Sequence, residues 1–297
     1  MQGLILLNKP KGITSFSAVS AIKRLAGEKR VGHTGTLDPM ATGVLPILIG
    51  RATTLSSLML DADKRYIAEV KLGVTTDTDD ITGNIICQRP VSVTKEQLIA
   101  AIEKHTGAIS QVPPAYSAIK KDGVRMYQLA REGKTVNIAP RKVEIYSLEL
   151  ISFDGQNGTF KMSAHVSKGT YIRSLARDIG EFLGCGATLT GLCRTYASGF
   201  DLEECISLDE LNPSNIKAHL HSEEIAISHL PEVSVTKNQA VRFCNGGQLG
   251  FERLSINPTV SGELYRVKFD SKLIGIGNTD IDNNQLNIKA ILNYPEG

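Results

Sequence analysis

The chain has 297 residues, 41% of them hydrophobic and 22% charged, with a net charge of +2. That is the composition of a folded globular protein, which excludes wholesale disorder, and the length fits about two domains of roughly 150 residues. No apolar run approaches the roughly 18 residues of a membrane span, and the start MQGLILLNKPKG has neither the basic opening nor the cleavage site of a signal peptide, so a cytoplasmic protein is expected. Residues 3–7 read as a short buried strand, stopped by the turn signal Lys9-Pro10-Lys11-Gly12. A helix follows, capped by Ser15 or Ser17, with Ala18, Val19, Ile22, Leu25 and Ala26 as its apolar stripe and Gly27 as its stop. Residues 32–43, rich in Gly and Thr, are expected to form no regular element. Residues 66–71 alternate as a strand with Tyr66, Ala68 and Val70 on one face. Residues 94–105 read as a helix opened by a capping box of Thr94 and Gln97. Residues 111–140 are loop-rich, and 141–151 and 159–166 form a hairpin about Asp154-Gly155-Gln156-Asn157-Gly158. A helix starts near Tyr171, with Ile172, Leu175, Ala176, Ile179 and Phe182 at helical spacing, and 188–195 is a strand. The acidic stretch after Phe200 reads as connecting helices. From Pro231 onward, short alternating runs and the turn Asn245-Gly246-Gly247 indicate a small β unit of about 65 residues. Two units are therefore expected, a body of mixed helices and strands at 1–230 and a β domain at 231–297.

Charge is spread unevenly. Residues 120–142, which include Lys120, Lys121 and Arg125, hold seven basic side chains against two acidic, a local +5. Such a patch suits a polyanion, a nucleic acid above all, as well as it suits plain solvated surface. The five cysteines are odd in number and contain no CxxC pair, so neither a disulfide framework nor a thiolate zinc site is expected. Residues 27–34 have the glycine spacing of a phosphate-binding P-loop, but His33 stands where the lysine must be. Asp77, Asp79 and Asp80 begin like a calcium loop until Ile81 breaks the ladder of oxygen ligands, so 76–80 reads as a solvated or hydrogen-bonded turn. No metal and no cofactor is expected.

Two segments carry chemistry. Gly32-His33-Thr34-Gly35-Thr36-Leu37-Asp38-Pro39 displays one imidazole and one carboxylate on a stiff loop, and Pro39 drives Asp38 out of the α region. The plain alternative is an Asx turn. Ser167-Lys168-Gly169-Thr170-Tyr171-Ile172-Arg173 leaves a strand, turns at Gly169 and enters a helix. An arginine in the first helical turn opposes the helix dipole, so Arg173 calls for an anion beside it unless it is a solvated surface residue.

Taken together, these stretches resemble the bacterial tRNA pseudouridine(55) synthases, the TruB family. The resemblance runs from Leu7-Asn8-Lys9-Pro10-Lys11-Gly12-Ile13-Thr14-Ser15 through 32–45 and Asp63-Lys64-Arg65-Tyr66. It continues in 72–80, Gln111-Val112-Pro113-Pro114-Ala115-Tyr116-Ser117-Ala118-Ile119-Lys120, 167–173, 184–187 and Leu192-Cys193-Arg194-Thr195, covering nearly all of 1–210. It implies an α+β fold, a pseudouridine-synthase mixed sheet core with flanking helices and loops. It also implies an RNA-clamping insertion at about 111–142 and a small C-terminal PUA-like, RNA-binding β domain. The implied activity is isomerisation of uridine to pseudouridine at position 55 in the T-loop of tRNA, with Asp38 catalytic. Arg173 is implied to pair with Asp38 and to depress its pKa. Tyr66 is implied to stack on the extruded base, Tyr171 and Leu192 to line the pocket, and His33 to contact the surroundings of the flipped nucleotide. Lys120, Lys121 and Arg125 are expected at the RNA backbone. Lys9 is expected there too, or against the Asp38 loop, or as a plain turn lysine. Nothing beyond packing is expected of Arg194. The implied partner is the T-arm of tRNA, met by a monomer that uses no cofactor. The alternative is a non-catalytic tRNA-binding or RNA-folding protein on the same scaffold, which the joint presence of Asp38, Tyr66 and Arg173 disfavours.

Overall fold

The first strand, Gly3–Lys9, runs two residues past the expected end, and all of it except Asn8 is buried. The computed structural model describes residues 1–60, 62–117, 120–121, 124–126 and 138–295. Within them this strand belongs to a ten-stranded mixed sheet. Across the sheet the order is Ile206–Ser207, Gly3–Lys9, Thr42–Ile49, Ala187–Ala197, Lys64–Leu72, Thr159–Val166, Arg141–Asp154 and Gly107–Gln111. Val31–His33 pairs with Thr42–Ile49, and Phe200–Asp201 with Ala187–Ala197. Two pairings are parallel: Gly3–Lys9 with Ile206–Ser207, and Thr42–Ile49 with Ala187–Ala197. The second joins the two halves of the sheet and sets Cys193 opposite Thr42 and Arg194 opposite Gly43. Only glycine fits at 43, because its φ is +105° and a Cβ there would lie 2.1 Å from the Arg194 carbonyl oxygen.

Lys64–Leu72 alternates as expected, with Tyr66, Ala68 and Val70 buried on one face. That face packs under the helix Ile172–Phe182, whose Ile172, Leu175, Ala176 and Ile179 are buried. The helices Ser15–Ala26 and Lys95–Lys104 contribute Ala18, Ile22, Leu98, Ala101 and Ile102 to the same core. Lys95–Lys104 opens with the Thr94 and Gln97 capping box read from the sequence. Ser15–Ala26 is capped by Thr14, whose side chain accepts from Ser17 N, and not by Ser15 or Ser17; the Ser15 hydroxyl is engaged with Leu37. Gly27 ends that helix in the left-handed region, at φ 63°.

The acidic stretch after Phe200 does not form the expected helices. It holds a short 3-10 turn, Leu202–Glu204, between the brief strands Phe200–Asp201 and Ile206–Ser207, and two more, Leu208–Glu210 and Glu223–Ile227, after them. Asp201 with Glu204 and Ser207 with Glu210 make true capping boxes, but no apolar stripe follows them, so each nucleates a single turn. Beyond it, a five-stranded sheet runs in the order Glu232–Ser234, Leu264–Phe269, Lys272–Asp280, Gln285–Ile291 and Leu249–Gly250. The helix Lys237–Cys244, absent from the sequence reading, lays Ala240, Phe243 and Cys244 into its core. The fold is α+β: a mixed sheet core with flanking helices, followed by a small curled sheet of PUA-like form. No helix among the described residues is long and apolar enough to cross a membrane. The backbones of Lys120–Lys121 and Val124–Arg125 pair as a small antiparallel hairpin. The side chains of Lys120, Lys121 and Arg125, expected at the RNA backbone, lie outside the described residues.

Candidate active site

The segment 32–43 is regular at its ends, in Val31–His33 and Thr42–Ile49, and irregular between them. Its middle is fixed from inside. Arg194, 2% exposed, donates from Nε to the Val44 carbonyl at 2.8 Å and from Nη2 to the Gly35 carbonyl at 3.1 Å. The Ala41 N–H donates to the Asp38 carbonyl at 3.1 Å, closing a turn that turns the Asp38 side chain into a cleft of 330 Å³.

Arg173 meets Asp38 there. Its Nε lies 2.8 Å from Asp38 Oδ2, and its Nη2 donates to Asp38 Oδ1 at 3.1 Å, a bidentate pair. Two further N–H groups go to the carbonyls of Tyr116 at 3.0 Å and Thr78 at 3.1 Å. The Arg173 side chain is 6% exposed, so the solvated-surface alternative does not hold, while Asp38 is 30% exposed and open toward the cleft. A second carboxylate stands behind the pair: Asp80 Oδ2 is 3.8 Å from Arg173 Nε. Asp80 is buried, and its Oδ1 accepts from the Thr78 hydroxyl and the Thr82 N–H, each at 2.9 Å. The 76–80 segment is thus the hydrogen-bonded turn of the two alternatives read from the sequence. Burial pushes the Asp38 carboxyl above its ordinary value; Arg173 pulls it down and Asp80 pushes it up, and the balance is upward. The expected net depression is therefore reversed, because removing the carboxylate from water outweighs the guanidinium.

Tyr66, Tyr171 and Leu192 line the same cleft as Asp38 and Arg173. Tyr66 is buried on its strand opposite Ala164 and Arg194. Tyr171 precedes the helix that carries Arg173, and its backbone is held at both ends by one side chain. Its N–H donates to Gln111 Oε1 at 2.8 Å, and Gln111 Nε2 donates to its carbonyl at 3.1 Å. Burial raises the Tyr171 phenol, keeping it protonated at neutral pH. His33 is not among the residues lining this cleft. Its Nδ1 accepts from the Gly35 N–H at 3.2 Å, and burial, then Arg194, lower its pKa toward the neutral ring.

Lys9, expected at the RNA backbone, against the Asp38 loop or as a turn lysine, is a turn lysine turned inward. It is wholly buried, so it does not reach an RNA backbone; its Nζ donates to the carbonyls of Pro10 at 2.8 Å and Ile13 at 2.9 Å. Burial lowers its pKa to about 8, although the Asp38 charge pulls the other way. It holds the 9–13 turn together from within.

A family model described as TruB family pseudouridylate synthase, N-terminal domain, matches residues 23–172, and one described as tRNA pseudouridylate synthase B C-terminal domain matches 173–231. The chain belongs to the TruB family of pseudouridylate synthases. Among its relatives, the tRNA pseudouridine synthase B of Azoarcus sp. (strain BH72) is 44% identical over 252 residues, covering 84% of this chain and 83% of that protein. The tRNA pseudouridine synthase B of Clostridium kluyveri is 41% identical over 278 residues, covering 93% of this chain and 95% of that one. Among solved structures, a chain of a Cbf5-Nop10-Gar1 complex matches with a TM-score of 0.74 and 25% identity, covering 98% of this chain and 85% of its own length. An H/ACA RNP bound to a substrate RNA containing 2'-deoxyuridine shares the fold, with a TM-score of 0.72 at 23% identity over 99% of this chain and 87% of that one.

In this TruB-family chain, Arg194, Gln111 and Asp80 organise the cleft, beyond what the sequence predicts for them. Arg194 carried a usable signal, a lone charge within the apolar strand Ala187–Ala197. Gln111 and Asp80 stand in stretches that carry the family resemblance, but a polar residue in a turn or at a strand end is ordinary and gives no sign of what it holds.

Proposed function

We propose that this chain isomerises uridine 55 in the T-loop of tRNA to pseudouridine, with Asp38 as the catalytic carboxylate. The observation that carries this reading is the bidentate Asp38 and Arg173 pair, opening on the side of Asp38 into a cleft lined by Tyr66, Tyr171 and Leu192. The N1–C1′ bond of the target breaks, the uracil turns over while held, and C5 bonds to C1′. C5 gives up its proton and N1 gains one, so the step balances without oxidant, reductant or energy input. Asp38 in its ionised form either attacks C1′ as a nucleophile or takes the 2′ proton toward a glycal. Arg173 orients the carboxylate with two hydrogen bonds and leaves its exposed edge to the sugar.

The target base reaches the cleft by flipping out of its stack, which costs a few kcal/mol. Stacking on the Tyr66 ring returns about 1–3 kcal/mol. Tyr171 and Leu192 close the pocket around base and ribose, and His33 holds the surroundings of the flipped nucleotide. Residues 1–230 form the catalytic domain, with the insertion at about 111–142 clamping the T-arm through phosphates by its basic stretch 120–142, and 231–297 add a PUA-like RNA-binding domain. The enzyme works as a cytoplasmic monomer.

An unmodified tRNA transcript labelled with tritium at uridine C5 tests this reading. Tritium is released as C5 bonds to C1′, and the product maps to position 55. A transcript with cytidine at 55 releases nothing. Release that persists at other positions, or no release from the intact transcript, contradicts the proposal.

A further inference from the structure

Ser15 is the first residue of the helix Ser15–Ala26 and is 2% exposed, yet it does not cap that helix. Its hydroxyl reaches Leu37 instead. It accepts from the Leu37 N–H at 2.8 Å and donates to the Leu37 carbonyl at 3.0 Å, so one hydroxyl satisfies both polar groups of a single backbone residue. Leu37 is buried and is the covalent neighbour of Asp38. On the other flank of Asp38, the Gly12 N–H donates to the Pro39 carbonyl at 2.7 Å. Gly12 itself belongs to the turn that Lys9 fastens through Pro10 and Ile13. The backbone on the two flanks of Asp38 is therefore held by Ser15 at Leu37 and by Gly12 at Pro39, while Arg173 holds the carboxylate itself.

We propose that Ser15 is a positioning residue for Asp38, fixing the Leu37 backbone so that the carboxylate meets both Arg173 and the target sugar in reacting geometry. This rests on the reading of Asp38 as the catalytic carboxylate. Misplacing a reacting group by about 1 Å can cost about 10²-fold in rate. Removing the Ser15 hydroxyl leaves a buried N–H and a buried carbonyl without partners, and the loop then gives way toward water to satisfy them. Binding of tRNA depends on the cleft walls and on phosphate contacts, none of which Ser15 supplies.

The test compares single-turnover conversion of an unmodified tRNA transcript, tRNA affinity and thermal midpoint across Ser15→Ala, Ser15→Thr, Thr14→Ala and Asp38→Asn. Ser15→Ala is expected to slow conversion about 10²-fold with tRNA affinity unchanged. Ser15→Thr restores the hydroxyl and recovers rate. Thr14→Ala removes the cap of the same helix without touching Leu37, so it lowers the thermal midpoint and leaves the rate alone. A Ser15→Ala enzyme as fast as wild type overturns the proposal, as does an equal loss of rate in Ser15→Ala and Thr14→Ala. If Asp38→Asn is inactive while Ser15→Ala is as fast as wild type, this inference alone has failed. If Asp38→Asn itself turns over normally, the reading of Asp38 has failed first.

Discussion

Asp38 must be ionised to react, yet burial favours its protonated form. Arg173 opposes that preference and Asp80 adds to it, leaving the folded-state pKa above the ordinary 3.8. A carboxyl with a raised pKa holds its proton to higher pH, so rate is lost as pH falls through the raised value. The profile of kcat/KM against pH is therefore expected to show an acid limb with its midpoint above 3.8; a midpoint at or below 3.8 would mean that the guanidinium outweighs burial. The pairing itself is legible in the sequence by two routes. An arginine in a first helical turn needs an anion, and the family resemblance names Asp38. The residues that aim the pair are not legible. Gln111 acts on backbone 60 positions away, and Arg194 on carbonyls 150 and 159 positions away. Residue type and spacing do not encode such contacts; they exist only once the sheet has formed. Lys9 fails for a related reason, because a turn lysine normally points to water and this one is folded inside its own turn.

At the scale of elements, the site depends on the parallel pairing of Thr42–Ile49 with Ala187–Ala197. It brings the end of the Asp38 loop beside Leu192 and Arg194, and Gly43 is the point of closest approach. Gly43→Ala puts a methyl 2.1 Å from the Arg194 carbonyl oxygen at a φ of +105°, a clash with backbone that no rotamer relieves. It is expected to cost more than the roughly 1–3 kcal/mol of backbone strain alone, read as a lower urea midpoint, and to reduce activity beyond the loss of folded protein. A variant of wild-type stability would show that the two halves of the sheet can part there freely. The strands were legible because hydrophobic alternation in 64–72 and 159–166 directly reports one buried face. The stretch after Phe200 forms single turns and not the expected helices, because a capping box starts a helix only when an apolar stripe follows, as at Thr94 and not at Asp201 or Ser207.

At the scale of the molecule, the hydrophobic core beneath the large sheet and the one within the small C-terminal sheet are separate clusters among the described residues. A further cluster, Leu55, Ile227, Leu273, Ile276 and Leu292, joins residues of both units. Arg266 reinforces the junction, with Nη1 2.7 Å from Glu224 Oε1 and Nη2 3.4 Å from Glu232 Oε2. On this frame the basic segment 120–142 is proposed to clamp tRNA through phosphates, each contact adding about 0.7–0.9 to the slope of log affinity against log salt. Replacing Lys120, Lys121 and Arg125 by Glu is expected to weaken tRNA binding and to make that slope shallower by about two to three. An unchanged slope would contradict the clamp. The most direct measurement is single-turnover conversion of an unmodified tRNA transcript by Asp38→Asn beside wild type, with tRNA binding followed in parallel. The expected result is tRNA bound as tightly as by wild type and no pseudouridine formed; pseudouridine appearing at the wild-type rate would contradict the role of Asp38.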